Sequence, residues 1–286
     1  MARRSPTVRE RRLARALRHL REEAGLTIEN VAEKLEMSAS TVSRMETAQV
    51  GVRPRDLRFL LDMYEVSEAE RDQLLQIARE RRQQHWWREY ADLPNIHFAG
   101  LEEDASTIWQ YSAQLVPGLL QTEAYARAVL GAIRLGAKPG DIERRLELRV
   151  HRQALLTNED APEYWVVLDE AVVRRQVGQR QVMAEQLGHL IEAAKLPNVT
   201  LQLLPFASGE HAGMDGEFTV FHYRDAADLD VVYIENTGAD MYLDQVDVTR
   251  RYNSMFDHLR AAALNPSESI RSLGEIQSEF RNSGRS

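Results

Sequence analysis

Apolar residues recur at helical spacing through the first eighty positions. Leu13, Ala16, Leu17, Leu20 and Ala24 fall three and four apart, and Gly25 follows as a natural C′ residue. The pattern predicts a helix of about four turns ending there. Thr27 suits the N-cap of a second helix whose apolar face is Ile28, Val31, Ala32 and Leu35. After a turn of three or four residues, Ser38 caps a third helix running to about Glu46. Pro54 fits the first turn of a fourth helix with Leu57, Leu60, Leu61 and Tyr64 inward, and Ser67 caps a fifth carrying Leu74, Leu75, Ile77 and Ala78.

Beyond residue 90 the pattern changes. Helical stretches are expected at 103–115, 122–135, 140–157, 179–195 and 244–263, with one more from Pro266 to Phe280. Alternating or β-branched runs at 163–168, 199–204, 217–223 and 230–235 read as strands. The expected architecture is an all-α, five-helix domain over residues 1–80, a helical linker over 81–94, and an α+β domain over 95–286 with a mostly antiparallel sheet. No internal repeat interrupts this plan.

Composition narrows the chemistry. Among 286 residues, 43% are apolar and none is cysteine, which excludes disulfide scaffolds, thiolate metal sites and thiol catalysis. No apolar run approaches the roughly 18 residues of a membrane span, and MARRSPTVRERR at the start is not followed by one, so a cytoplasmic protein, at the nucleoid when on DNA, is expected. The net charge of −8 is unevenly spread: residues 1–90 carry +3 and residues 91–286 carry −11. A basic head on an acidic body is the asymmetry of a nucleic-acid reader joined to a domain that does not touch nucleic acid.

The stretch VAEKLEMSASTVSRMETAQ at 31–49 carries the sharpest signal. Val31, Ala32, Leu35, Val42 and Met45 have the spacing that joins two helices at a steep angle and leaves the outer face of the second free for a major groove. Residues 12–66 resemble the Cro/repressor-type helix-turn-helix of the xenobiotic-response-element family. The resemblance implies a partly buried ion pair between Arg21 and Glu46. It places Ala39, Ser40 and Arg44 at base edges, with Thr41 and Ser43 flanking them. Arg44 is the best candidate for reading a base, since a guanidinium bonds both O6 and N7 of guanine, worth about 1–3 kcal/mol of discrimination. Thr27, Ser38 and Ser43 are expected near phosphates, Thr27 through a backbone N–H at a helix N-terminus, and Arg53 and Arg55 along the phosphate backbone. Arg3, Arg4, Arg9, Arg11 and Arg12 are read as a basic arm on the DNA backbone. The chain departs from the family pattern at Ile28, where Gln is common, and at Ala48, where Gly is usual.

A second resemblance rests on VPGLLQTEAYARAVL at 116–130, RVHRQALL at 149–156, LDEAVVRRQVG at 168–178, GEHAGMDGEFTVF at 209–221 and FDHLRAAALNPSES at 256–269. Together they are similar to the sensor-type domain of WhiJ-like regulators of filamentous actinobacteria, over nearly all of 95–275. That family is described as transcriptional regulators of development and secondary metabolism, antitoxin-like in gene arrangement and often beside a gene for a small partner protein. The resemblance implies a second domain that binds a partner or a signal. Trp86 and Trp87 read either as a stacking platform or, more simply, as an anchor for the linker. Gln121, Arg149, Arg152, Gln153, Asp169, Glu170, Arg174, His211 and Glu235 sit beside apolar runs where burial demands partners. Asp169 and Glu170 could meet Arg149, Arg152 or Arg174 in an ion-pair network, a structural alternative to a ligand site.

No enzyme signature stands out. The eight histidines show no metal-binding spacing, and there is no nucleophile elbow, Walker loop or dinucleotide fingerprint. SGEHAGMDGE at 208–217 reads first as a loop and recognition surface. No cofactor or metal is expected. The expectation is a non-enzymatic, homodimeric reader of double-stranded DNA at an inverted repeat, acting as a repressor and responsive to a small partner protein or ligand. The alternative is an antitoxin-like protein that sequesters a neighbour-encoded partner and uses DNA binding for autoregulation.

Overall fold

The computed structural model describes residues 8–80, 86–90, 93, 96–133, 139–224, 229–236 and 240–282. The chain divides into two compact units, Met1–Leu101 and Glu102–Ser286.

The first unit is built on α1 (Val8–Glu23), α2 (Ile28–Lys34), α3 (Ala39–Glu46), α4 (Pro54–Met63) and α5 (Glu68–Glu80), followed by a 3₁₀ turn, Trp86–Tyr90, and by α6 (Ile96–Asp104), which crosses into the second unit. Its core joins Leu13, Leu17 and Leu20 of α1 to Val31, Ala32, Val42, Met45, Leu57, Leu60, Leu61, Tyr64 and Leu74. Ala24, read above as part of the apolar stripe, is exposed beyond the end of α1.

The helix ends explain why this unit is so regular. Thr27 and Asn30 form a reciprocal capping box at α2, and the Ser38 hydroxyl accepts the Thr41 N–H at α3. At the other ends, Gly25, Glu36 and Glu65 take positive φ after α1, α2 and α4. In each case the following N–H reaches back five residues: Leu26 to Arg21, Met37 to Ala32 and Val66 to Leu61. Leu26, Met37 and Val66 then pack on the core, so apolar contact holds two glutamates in a conformation that glycine adopts more easily. Ala48 is likewise left-handed, at φ 55°, after α3.

The second unit holds a six-stranded mixed sheet in the order β3-β2-β1-β4-β5-β6. The strands are β1 (Thr107–Ser112), β2 (Glu163–Asp169), β3 (Val199–Leu204), β4 (Phe218–His222), β5 (Val231–Ile234) and β6 (Met241–Leu243). The helices are α7 (Glu123–Ile133), α8 (Pro139–Gln153), α9 (Glu170–Arg174), α10 (Arg180–Ala193), α11 (Val246–Ala262) and α12 (Pro266–Asn282). One expectation is corrected and another is made finer. Residues 107–112 form a central strand rather than part of a helix, because Trp109 and Tyr111 face one layer while Ile108 and Ser112 face the other. With both faces covered, the run lacks the apolar–polar alternation that marks a strand. The sheet is mixed rather than purely antiparallel: the β1–β2 and β2–β3 pairs are parallel, and the pairs β1–β4, β4–β5 and β5–β6 are antiparallel. Helical crossovers through α7–α8 and α9–α10 impose the parallel pairs.

Helix α11 covers one face of the sheet. Its Phe256 and Leu259 pack with Tyr111, Val167, Val220 and Val232, and Trp109 stacks on Phe256 at 5.0 Å. The Arg260 guanidinium lies over Trp165, 4.8 Å from the ring centroid. The outer edge of β3 is closed where Leu203 N–H donates to Ser269 Oγ and Leu203 C=O accepts from Leu264 N–H. Helices α10 and α12 approach closely at Gly188, where Gln277 Nε2 reaches across to donate to Ala184 C=O.

Candidate nucleic-acid interface

The outer face of α3 follows from its inner one. Val42 and Met45 are buried, which turns Ser40 and Arg44, one turn apart, to solvent. Arg44 makes only a long Nε contact of 3.4 Å to Ser40 C=O, so its guanidinium tip is free to reach a base edge. Ala39 is half-buried against the core, and Thr41 is tied to Ser38 by a 2.8 Å hydroxyl contact. Ser43 is half-buried.

One rationale is corrected at Thr27. Its N–H donates to Asn30 Oδ1 at 3.1 Å and its hydroxyl accepts the Asn30 N–H, so the backbone donor expected to meet a phosphate is spent inside the capping box. Arg53 is the N-cap residue of α4 with no side-chain cap bond; it and Arg55 are exposed and lack an ion-pair partner among the described residues. Lys34 and Arg58 share that condition and were not singled out from the sequence, where an exposed cation has no distinguishing pattern. Arg18 and Arg71 are instead committed to Glu22 and Asp62.

The scaffold under α3 is an ion pair. Arg21 Nε donates to Glu46 Oε1 at 2.7 Å and Nη2 donates to Oε2 at 3.0 Å, while Nη1 caps Leu26 C=O at 2.8 Å. This bidentate fork joins α1, the turn after it and the end of α3. Burial, with the Glu46 carboxylate beside it, pushes the Tyr64 hydroxyl well above its ordinary pKa. The basic arm is corrected in part: α1 starts at Val8, so Arg9, Arg11 and Arg12 belong to a helix, and Arg11 is buried. Arg3 and Arg4 lie outside the described residues. Trp87 is buried with its indole against Gly100 of α6, which fits the anchoring reading; the Trp86 side chain lies outside the described residues.

In the second unit the candidate polar residues separate into three places. Arg149 Nη1 donates to Gln121 Oε1 at 2.6 Å, and Gln121 and Gln153 bond the backbone of Val116 and Gly118, so α8 clamps the turn before α7. Beside it Arg152 makes two 2.7 Å bonds to Glu102, a partner that sequence reasoning missed. Glu170 pairs with Arg174 and accepts the Phe206 N–H at 2.8 Å. Burial opposes its charge, but these donors hold its pKa below the ordinary value. Asp169 caps α9 by accepting the Ala171 N–H and faces His211 Nε2 at 3.7 Å. The single network of Asp169 and Glu170 with Arg149 and Arg152 therefore does not form, because α8 turns its arginines toward α6 and the 116–121 turn. Glu235 is exposed at the end of β5.

A model of the family described as "Domain of unknown function (DUF5753)" matches residues 96–275, and a "Helix-turn-helix domain" model matches residues 12–74. The chain belongs to the DUF5753 family. No curated protein and no solved structure matches it. The helix-turn-helix domain at the front of this DUF5753 protein marks a DNA-binding regulator. Among the described residues no helix is long and apolar enough to cross a membrane.

Within the DUF5753 domain, the loop after β3 is fixed by contact at its centre. Gly213 N–H donates to His211 Nδ1 at 3.2 Å, which leaves the ring proton on Nε2, toward Asp169. A Cβ at Gly213 would stand 2.3 Å from the Tyr111 ring, and Tyr111 is wholly buried in the central strand. Gly213→Ala is expected to destabilise the second unit by about 1–3 kcal/mol through overpacking. Urea unfolding followed by near-UV circular dichroism measures it; a midpoint equal to the parent's would show that the loop lifts off Tyr111 without cost.

Proposed function

We propose that this chain is a transcriptional repressor that binds an inverted-repeat operator as a homodimer and is controlled through its second unit by a small partner protein or ligand, in the manner of WhiJ-like regulators. The observation that carries the reading is the exposed Ser40–Arg44 face of α3, held on a buried Arg21–Glu46 fork. One short recognition helix offers few base contacts, so useful specificity calls for two half-sites about 34–36 Å apart. Partner binding then acts by changing the spacing of the two readers, with a coupling energy of roughly 1–3 kcal/mol. The proposal contains no catalytic step.

Two substitutions separate reading from positioning. Arg44→Ala is expected to weaken operator binding by about 1–3 kcal/mol and relax one base position, whereas Arg53→Ala weakens operator and random DNA alike and lowers the salt slope by about 1. Fluorescence anisotropy over a salt series checks both; equal effects on both DNAs from both variants would mean that the reading face is misplaced. A footprint upstream of the protein's own gene, with and without the small protein encoded beside it, tests the whole. A symmetric protected site that changes with the partner supports the repressor, and absence of protection favours partner sequestration.

A further inference from the structure

The surface around the N-terminal half of α11 carries charges that the chain itself does not satisfy. Asp247 lies three and four residues before Arg250 and Arg251, the spacing at which helical ion pairs form. Yet Asp215, Asp247, Arg250 and Arg251 are all exposed and none has an ion-pair partner among the described residues. They are distributed over two adjoining grooves. One, of about 540 Å³, runs along Ala212, Asp247, Arg250, Arg251, Met255 and His258. The other, of about 440 Å³, lies between α11 and the β5–β6 face, with Asp215, Glu217, Ile234, Leu243 and Tyr252 in its walls. Asp247, Arg251 and Met255 border both.

Arg250 lines the first groove and not the second, whereas Asp215 and Glu217 line the second and not the first, so the balance of charge is positive on one side and negative on the other. Around them stand three large apolar side chains that the fold leaves in water: Met214 on the loop between the grooves, Met241 on β6 and Val246 at the start of α11, exposed by 72%, 42% and 49%. A patch with a positive and a negative half meeting at its centre is its own complement under a two-fold rotation. We infer that this face is where two copies of the second unit meet, Arg250 and Arg251 of one protomer against Asp215 and Asp247 of its partner, with the methionines and Val246 buried between them. The inference rests on the homodimer proposed above and assigns its surface. The first groove is open and the second only half enclosed, which suits the face of another protein better than an enclosed small molecule.

Charge reversal in two complementary sets tests this with the full chain. Sedimentation of the parent without DNA gives the reference dimer. Arg250→Glu with Arg251→Glu makes the patch predominantly acidic, and Asp215→Arg with Asp247→Arg makes it predominantly basic. Each double variant alone is expected to weaken the dimer roughly tenfold or more, and an equimolar mixture of the two to restore it as a heterodimer. Circular dichroism establishes that each variant is folded, since all four positions are exposed. Variants that dimerise like the parent overturn the surface and leave the homodimer standing. Variants that lose the dimer but do not recover on mixing overturn the two-fold pairing, and a parent that is monomeric on and off DNA removes the homodimer reading itself.

Discussion

Glu46→Ala is expected to destabilise the first unit by about 3–5 kcal/mol, the cost of stranding a buried guanidinium. The Arg21 and Glu46 side chains are only 9% and 5% exposed, and both oxygens of the carboxylate take a bond from Arg21. Removal of Glu46 leaves Arg21 with the Leu26 carbonyl and a 3.4 Å contact to Glu22, too little to replace a bidentate partner. Because a small domain has about 5–15 kcal/mol in total, most of the margin of the unit goes, and operator binding falls with the folded fraction. The double variant Arg21→Met, Glu46→Leu is expected to recover much of the loss, since paired apolar replacements leave no charge behind. Hydrogen exchange at the α1 and α3 amides, read beside anisotropy with operator DNA, follows this unit separately from the second. A Glu46→Ala protein with parental protection would contradict the account.

Glu102→Ala is the counterpart in the second unit, again at about 3–5 kcal/mol. Glu102 is 3% exposed and holds Arg152 by two bonds of 2.7 Å. Arg152 sits where the Tyr164 ring is wholly buried and Gly118 leaves room for the guanidinium. Unlike a carboxyl, a guanidinium has no neutral form to adopt when its main partner is removed, and the Glu235 charge that also acts on Arg152 does not replace the two Glu102 bonds, so the loss should persist from acid to mildly alkaline pH. Urea unfolding at pH 5 and pH 8 is the measurement. Recovery at either pH would mean that Arg152 finds another partner or reaches water.

The two pairs also show what a sequence reveals of a site. Arg21 and Glu46 were paired through a family resemblance, and the residues themselves add the reason that two charges on apolar helix faces need one another. Glu102 carried no such mark: it lies in a run of acidic residues, GLEED, and its partner is fifty positions away. Of the partners open to Asp169 and Glu170, Arg174 is the one that is taken, by Glu170, while Asp169 caps α9 instead. A carboxylate next to a strand must find a donor, but several arginines qualify chemically, and the bonds of α8 to Glu102 and to the 116–121 turn decide which are taken. Arg44 was placed at a base edge through the family resemblance, and burial of its neighbours Val42 and Met45 adds the reason that it faces outward. Lys34 and Arg58 were not singled out, since exposure of a cation is uninformative until its possible partners are placed.

The sequence by itself determined the helical reader. Its helices begin at Thr27, Ser38 and Pro54 and end where apolar spacing stops, all within a turn or two of the residues that signal it, so local physics is enough. It also determined most helices and most strands of the second unit, whose periodicities are equally local. Tertiary structure alone decided that 107–112 is the central strand, that three strands run parallel, and which arginine neutralises which carboxylate. Those outcomes depend on contacts between distant parts of the chain, as where Thr107 pairs with Glu163, Tyr164 with Val199 and Glu102 with Arg152. A strand buried on both faces loses its alternation, and charges of one kind are interchangeable until the chain has closed around them.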